Sequence, residues 1–276
     1  VSHFTTKFWS NTHFAEYLHP TRGLIASHGF TDVDWAALAT DVALPDQRKV
    51  LWPLVRSEAA FYYGGIPTGI STRPESYEPW EFSHPDRHDL AAMGRVWYLE
   101  AWARSQFHDA DGLLDGLRRV AREGQRHSYY WRERYYPSNT GSAVPAGAEK
   151  YCEYPANFIR IANRFLLGID LRLDGAIELA PRATRDFWNR GFGHSLRLRD
   201  LTLEYRLSSE QIDIVYAGPA TQRVGIGFPR TNDAESWRVV SQDSCRVTQQ
   251  DRLLWLTLPA TPGSDCVRIR IKRFAK

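Results

Sequence analysis

The sequence has no apolar run long enough to span a bilayer, which excludes a helical membrane anchor within these residues. Lysine is scarce, and the arginines are scattered among Asp and Glu rather than clustered. With a formal net charge of only +3, this argues against a nucleic-acid partner. Three cysteines, Cys152, Cys245 and Cys266, are too few for a disulfide framework and lack metal-ligand spacing. Cys245 and Cys266 are expected either to pair across neighbouring strands or to stay as buried thiols. They do not assign a compartment. There is no Gly-rich phosphate cradle, no nucleophile elbow and no metal-spaced histidine pair, so neither cofactor nor metal is expected. The first residues, Val1-Ser-His-Phe, show no basic start before an apolar core, so no signal peptide is read there. They look like the middle of a helix, and the chain is expected to begin inside a longer protein.

What is present in excess is aromatic: ten Trp and thirteen Tyr, many of them outside periodic segments. Rings flanked by carboxylates and arginines suit a sugar, whose apolar faces stack and whose hydroxyls take charged hydrogen-bond partners. The alternative is that they fill a core, which is preferred for Trp35, Trp97 and Trp102.

The chain divides by pattern. Over 1–168 apolar residues recur at helical spacing, and over 169–276 they alternate. Six helices are expected: Phe4 to Leu18; Asp32 to Ala43, capped by Thr31; 45–62, started by Pro45; 85–105, started by Pro85; Ala110 to Gly124; and Pro155 to Leu167. Short links alternate with two long ones, 64–84 and 125–154. If neighbouring helices run antiparallel, both long loops lie at one end, where helices 32–43, 85–105 and 155–167 begin. This is the layout of half an (α/α)6 barrel, with the other inner helices expected upstream of Val1. Nine strands follow, at 169–173, 176–180, 195–207, 211–217, 222–228, 236–241, 245–249, 253–258 and 266–273. The expected class is α+β in two domains: a partial barrel over 1–168, then an antiparallel β-sandwich over 169–276.

Two segments carry a resemblance. Phe165-Leu-Leu-Gly-Ile-Asp leads through a hairpin to Pro181, and Asp186-Phe-Trp-Asn-Arg-Gly191 then enters the strands. This order is similar to the tail of the six-hairpin glycosidase superfamily, most like α-L-rhamnosidase-like and α-L-fucosidase-like enzymes. The stretch Asp34 to Arg48 is similar to a rhamnosidase-like helix with its Leu-Pro step. The resemblance implies a glycoside hydrolase that inverts configuration with two carboxylic acids. It places the general acid in the earlier half of the barrel and the base in Gly147-Ala148-Glu149-Lys150-Tyr151-Cys152-Glu153-Tyr154, as either Glu153 or Glu149. A glycoside phosphorylase, a polysaccharide lyase or a binding fragment without activity stays open.

The residues themselves supply the candidates. Glu153 precedes Tyr154-Pro155 at the start of an expected helix, and Asp32 and Asp34 lie in the first turn of another. Each carboxylate is read as catalytic, sugar-binding or capping; Arg87, His88 and Asp89 exceed what capping needs and are read as substrate contacts. Trp80 and Trp131 are candidate stacking platforms, with Tyr130 and Arg132 beside them. The expected partners are a carbohydrate and the upstream half of the barrel.

Overall fold

The computed structural model describes residues 2–84, 87–138, 143–227, 237–241, 245–250, 253–261 and 265–274. The protein is α+β and separates into two compact units, Val1–Ala162 and Asn163–Lys276.

In the first unit, α1 (Ser2–Lys7) is followed by a hairpin of β1 (Tyr17–His19) and β2 (Gly23–Ile25). The expected helix over Phe4 to Leu18 therefore stops at Lys7. Tertiary contact overrides the helical spacing: Phe4 stacks on Phe8 and Phe14, Trp9 meets Phe14 edge-on, and the Phe14 amide donates to Asp34 Oδ1 at 2.8 Å. Asn11, in left-handed backbone with φ 74°, turns the chain between Trp9 and Phe14.

Helix α2 (Asp32–Ala39) starts at Thr31, whose amide is taken by Asp34 Oδ2 at 3.0 Å. Helix α3 (Pro45–Val55) begins on Pro45 and buries one stripe, Gln47, Leu51 and Val55. It ends before the expected residue 62, giving way to a 3₁₀ turn over Ala59–Phe61. Helix α4 (Gly94–Gln106) starts nine residues later than expected. Residues 85 and 86 lie outside the described residues, His88–Leu90 form one 3₁₀ turn, and Ala92 bridges to Tyr135 as extended chain. Helix α5 (Ala110–Arg126) buries a single stripe at Leu113, Leu117 and Val120. The long segment after it holds a hairpin, β3 (Arg132–Tyr136) with β4 (Val144–Glu149). Helix α6 (Glu153–Ile161) then runs into a π-helical turn over Ala162–Leu166 rather than continuing as α-helix to 167.

Packing skips one helix at a time: α2 lies on α4 and α4 on α6, while α3 lies against α2 and α5 against α4. Helices α2 and α4 bury most of their residues, whereas α3 and α5 bury one stripe and keep a polar face. Trp35, Leu38, Leu51, Val55 and Ala103 centre their shared core.

In the second unit, β5 (Ile169–Leu171), β6 (Ile177–Leu179), β10 (Gln222–Gly227), β13 (Leu253–Leu258) and β12 (Arg246–Gln250) form one five-stranded sheet. A short helix, α7 (Arg185–Arg190), leads to β7 (Phe192–Leu198), β8 (Leu201–Leu207) and β9 (Gln211–Ala217). These join β14 (Val267–Arg273) and β11 (Trp237–Val239) in the second five-stranded sheet. The expected strand 195–207 is two strands broken at Arg199, where φ is 48°. Side chains from both sheets, including Leu179, Ile226, Leu256, Leu203, Ile214 and Ile269, meet in one apolar cluster. Not all pairing is antiparallel: β6 runs parallel to β10, because the chain leaves for the other sheet between them and returns by a long crossover. All three cysteines are free. Cys245 and Cys266 lead into β12 and β14, which belong to different sheets, so they are not the expected pair on neighbouring strands of one sheet.

Candidate functional site

The starts of α2, α4 and α6 are tied together by the segment 67–72 and by the β3–β4 hairpin. The Asp32 amide donates to Ile70 O at 2.9 Å, and Tyr154, the second residue of α6, donates its hydroxyl to Pro67 O at 2.5 Å. Ala92, two residues before α4, exchanges backbone bonds with Tyr135. Glu153, at the head of α6, sits against Gly94 at the head of α4; an added Cβ on Gly94 would come within 3.0 Å of Glu153 Cγ. Three positive helix ends thus converge on one region.

At the α2 start lies a buried polar cluster built from distant parts of the chain. His28, 1% exposed, holds Glu16 Oε2 with Nδ1 at 2.6 Å and meets Glu81 Oε1 with Nε2 at 3.2 Å. Both ring nitrogens donate together only when the imidazole carries both protons. Tyr77 lies flat on His28 and donates to the same Glu16 oxygen at 2.9 Å. Tyr17 donates to Glu81 Oε1, and the Glu78 amide takes Glu81 Oε2 at 2.6 Å. Burial first and then the Glu81 bond push the Tyr17 phenol up; burial and the charge of Glu16 do the same to Tyr77.

Asp32 borders this cluster. Burial, then the negative charge of Glu16, push its carboxyl up to about 6, against the pull of the Val33 amide and its own. No cation pairs with it among the described residues. Asp32 can therefore give up a proton near neutral pH, an uncommon property for a carboxylate at a helix start.

Glu153 has a different character. Its Oε1 faces Arg95 Nη1 at 3.4 Å, while its Oε2 is buried and has no hydrogen-bond partner among the described residues. A buried carboxylate oxygen left open is an acceptor waiting for a donor such as water or a sugar hydroxyl.

The other expected site residues are divided by their surroundings. Asp34 is fully buried, with Oδ1 and Oδ2 taken by the Phe14 and Thr31 amides, so it has no surface for a sugar and caps α2 instead. Its carboxyl is pushed up to about 7, by burial above all. Glu149 is exposed at the end of β4, engaged by Tyr130 and by Arg132 Nη1 at 2.8 Å. The Tyr130 hydrogen bond and the Arg132 charge hold it below the usual carboxylate value. These three residues form a surface group on the hairpin. Trp131 is 6% exposed, stacked on Tyr154 and edge-on to Tyr135; it is a core ring rather than a platform. Trp80 is 39% exposed, with the Arg22 guanidinium 4.3 Å from its ring and His19 edge-on to it. Arg87 covers the Phe82 ring at 4.9 Å, and Asp89 accepts from Ser83 Oγ at 3.1 Å. The side chain of His88 lies outside the described residues.

Glu16 and His28 were not legible as site residues, because 4–18 reads as helix and the partners of His28 are 12 and 53 positions away. Among the described residues no group of three or more His, Cys, Asp or Glu is arranged to hold a metal ion, and no helix is long and apolar enough to cross a membrane. No protein-family model matches the chain, and no curated protein matches it.

Proposed function

We propose that the chain is the C-terminal part of an inverting, rhamnosidase-like glycoside hydrolase. The first unit is then half of an (α/α)6 barrel, with α2, α4 and α6 as inner helices and α3 and α5 as outer ones. The skip-one packing and the burial of most of α2 and α4 support this. The remaining hairpins are assigned to a further, upstream segment. The second unit is a β-sandwich, supported by the single cluster shared by its two sheets.

One observation carries the reading: two carboxyls of opposite character at converging helix starts, Asp32 holding its proton more tightly than an ordinary carboxylate because of burial and Glu16, and Glu153 with a buried oxygen that has no partner among the described residues. An inverting glycosidase needs that division of labour. Asp32 is assigned the acid, in this half of the barrel rather than in the earlier half where the resemblance places it, protonating the glycosidic oxygen as its bond to the anomeric carbon breaks. Glu153 is the base, taking a proton from the water whose oxygen bonds to that carbon from the opposite face. Each turnover leaves Asp32 ionised and Glu153 protonated, and solvent resets both. Glu149, already engaged by Tyr130 and Arg132, is the weaker candidate for the base. Trp80 and Arg87 offer the sugar-facing surface.

The test is proton NMR of the first-formed sugar released by the full-length protein from α-L-rhamnosides and α-L-fucosides. Inverted anomeric configuration is expected. Asp32→Asn and Glu153→Gln should each lower kcat by about 10²-fold or more. Retained configuration, a requirement for phosphate, or unsaturated products absorbing in the near ultraviolet would each reject the assignment.

A further inference from the structure

The second sheet of the second unit has two unlike faces. Strands β8, β9 and β14 alternate, with the apolar set in the core and the other set facing outward. The pairing register fixes how the polar set lines up. In one row Arg206, Asp213 and Arg270 stand side by side on β8, β9 and β14. In the next, Glu204, Val215 and Arg268 do so, and on the other side Gln211, Lys272 and Arg238 complete the pattern. Arg197 on β7 lies opposite Thr202 on the same face. Among the described residues, six cations therefore share this face with two carboxylates, in a chain whose overall charge is only +3. The cations stand at the regular intervals of a sheet, about 4.8 Å between strands and about 7 Å between alternate residues along a strand.

The face also contains a cavity of about 350 Å³, lined by Asp213, Val215, Val240, Ser241, Arg268 and Arg270. It lies where the chain beyond β11 still pairs with β14, the Val240 amide donating to Arg270 O at 2.8 Å. Ser241 brings to it a buried hydroxyl with no hydrogen-bond partner among the described residues. Arg270 is oriented by an ion pair in which its Nε donates to Asp213 Oδ1 at 2.6 Å, and Gln211 Nε2 donates to the other Asp213 oxygen at 2.6 Å. A guanidinium carries further N–H donors beyond the one engaged.

We infer that the exposed face of the β11-β14-β9-β8-β7 sheet binds an acidic polysaccharide, seating one sulfate or carboxylate in the cavity between Arg268, Arg270 and Ser241. Two guanidiniums and an open hydroxyl supply charge-assisted and neutral donors to an anionic oxygen group. The neighbouring rows supply cations for further repeats of the same chain. The choice of a polysaccharide among polyanions rests on the glycoside hydrolase reading. Binding is measured without turnover, so its failure leaves the hydrolysis reading standing.

The test is affinity electrophoresis of the full-length protein at about 0.15 M salt, where weak surface attraction is screened. The probes are heparin as the sulfated polymer, polygalacturonate as the carboxylated one, dextran as the neutral one, and a single-stranded DNA oligonucleotide. Retardation by heparin or polygalacturonate, above dextran and DNA, is expected, and the tighter of the two names the anion. Arg268→Gln with Arg270→Gln should weaken that binding roughly tenfold or more, through loss of two charged donors. Ser241→Ala should weaken it several-fold with thermal melting unchanged. Arg206→Gln, in the same row but away from the cavity, should weaken it less, and it serves if the double variant disturbs the sheet. No retardation by either acidic polymer, equal retardation by dextran or DNA, or unchanged binding in the double or Ser241 variant overturns the proposal.

Discussion

Tyr77 and His28 lie face to face, ring centroids 3.6 Å apart and planes 10° apart, and both donate to the same oxygen of Glu16. The stack fixes that carboxylate beside Asp32 without giving Asp32 a cation of its own. The consequence falls on Asp32, where the charge of Glu16 adds to burial in opposing ionisation.

Replacing Glu16 with Gln should therefore lower the Asp32 pKa from about 6, since ionisation no longer brings two negative charges together. The value should stay above that of a free Asp, because burial is the larger cause. Carbon-13 carboxyl NMR titration of wild type and variant reads this directly, without any substrate. An unchanged Asp32 titration would mean that Glu16 does not act on it.

The same carboxyl makes stability depend on pH. Asp32 binds its proton more tightly when folded, about 6 against an ordinary 3.8, so its contribution is full below about pH 4 and is lost as pH rises through 6. Relative to Asp32→Asn, which cannot ionise, the wild type should lose on the order of 2 kcal/mol between pH 4 and pH 7. Paired urea melts across that window check it, and a constant difference between the two proteins would contradict it.

Where sequence reading succeeded, the signal was local. Thr31 with the acidic Asp32 and Asp34 after it marks the start of α2, Pro45 marks that of α3, and the alternation of Arg268 to Lys272 marks β14. Where it failed, distant contacts decided. Phe4, Phe8 and Phe14 have helical spacing, but their rings stack on one another and close a loop instead. The parallel β6–β10 pair depends on a crossover through another sheet, which no local pattern encodes. The candidate site divides the same way. Asp32 and Glu153 were visible because helix starts are local features, while Glu16, His28 and Glu81 become neighbours only when a hairpin and a distant loop meet.

Arg104 is the cation of a second buried network, with Nε on Glu100 Oε1 at 2.8 Å and Nη1 on Asp109 Oδ2 at 2.5 Å. Glu100 also receives the Tyr62 hydroxyl at 2.9 Å and the Thr68 hydroxyl. Arg104→Met would leave a carboxylate that is 1% exposed without its charge partner, and should destabilise the first unit by about 3–5 kcal/mol. Adding Glu100→Gln should recover part of that loss, because no unpaired charge then remains buried. Additive losses in the double variant, measured by denaturant melts, would show that the pair is not coupled.

The two tryptophans read from sequence as stacking platforms should behave oppositely. Trp131 is enclosed, 5.2 Å from the Tyr154 ring with planes 19° apart and 6.2 Å from Tyr135, and it lies against Gly124 of α5. Trp131→Ala opens a cavity where the hairpin meets α5 and α6, which costs about 3–5 kcal/mol. Trp80 is held from outside by Arg22 and keeps a large part of its surface in water, so Trp80→Ala should change stability by only about 0.5 kcal/mol or so. If Trp80 stacks on substrate, its variant raises KM and leaves kcat close to wild type, because an open ring face binds ground state and transition state alike. Thermal melting and kinetics on the same pair of variants separate the roles. A destabilised Trp80→Ala protein with unaltered KM would place that ring in the structural class and remove it from the site.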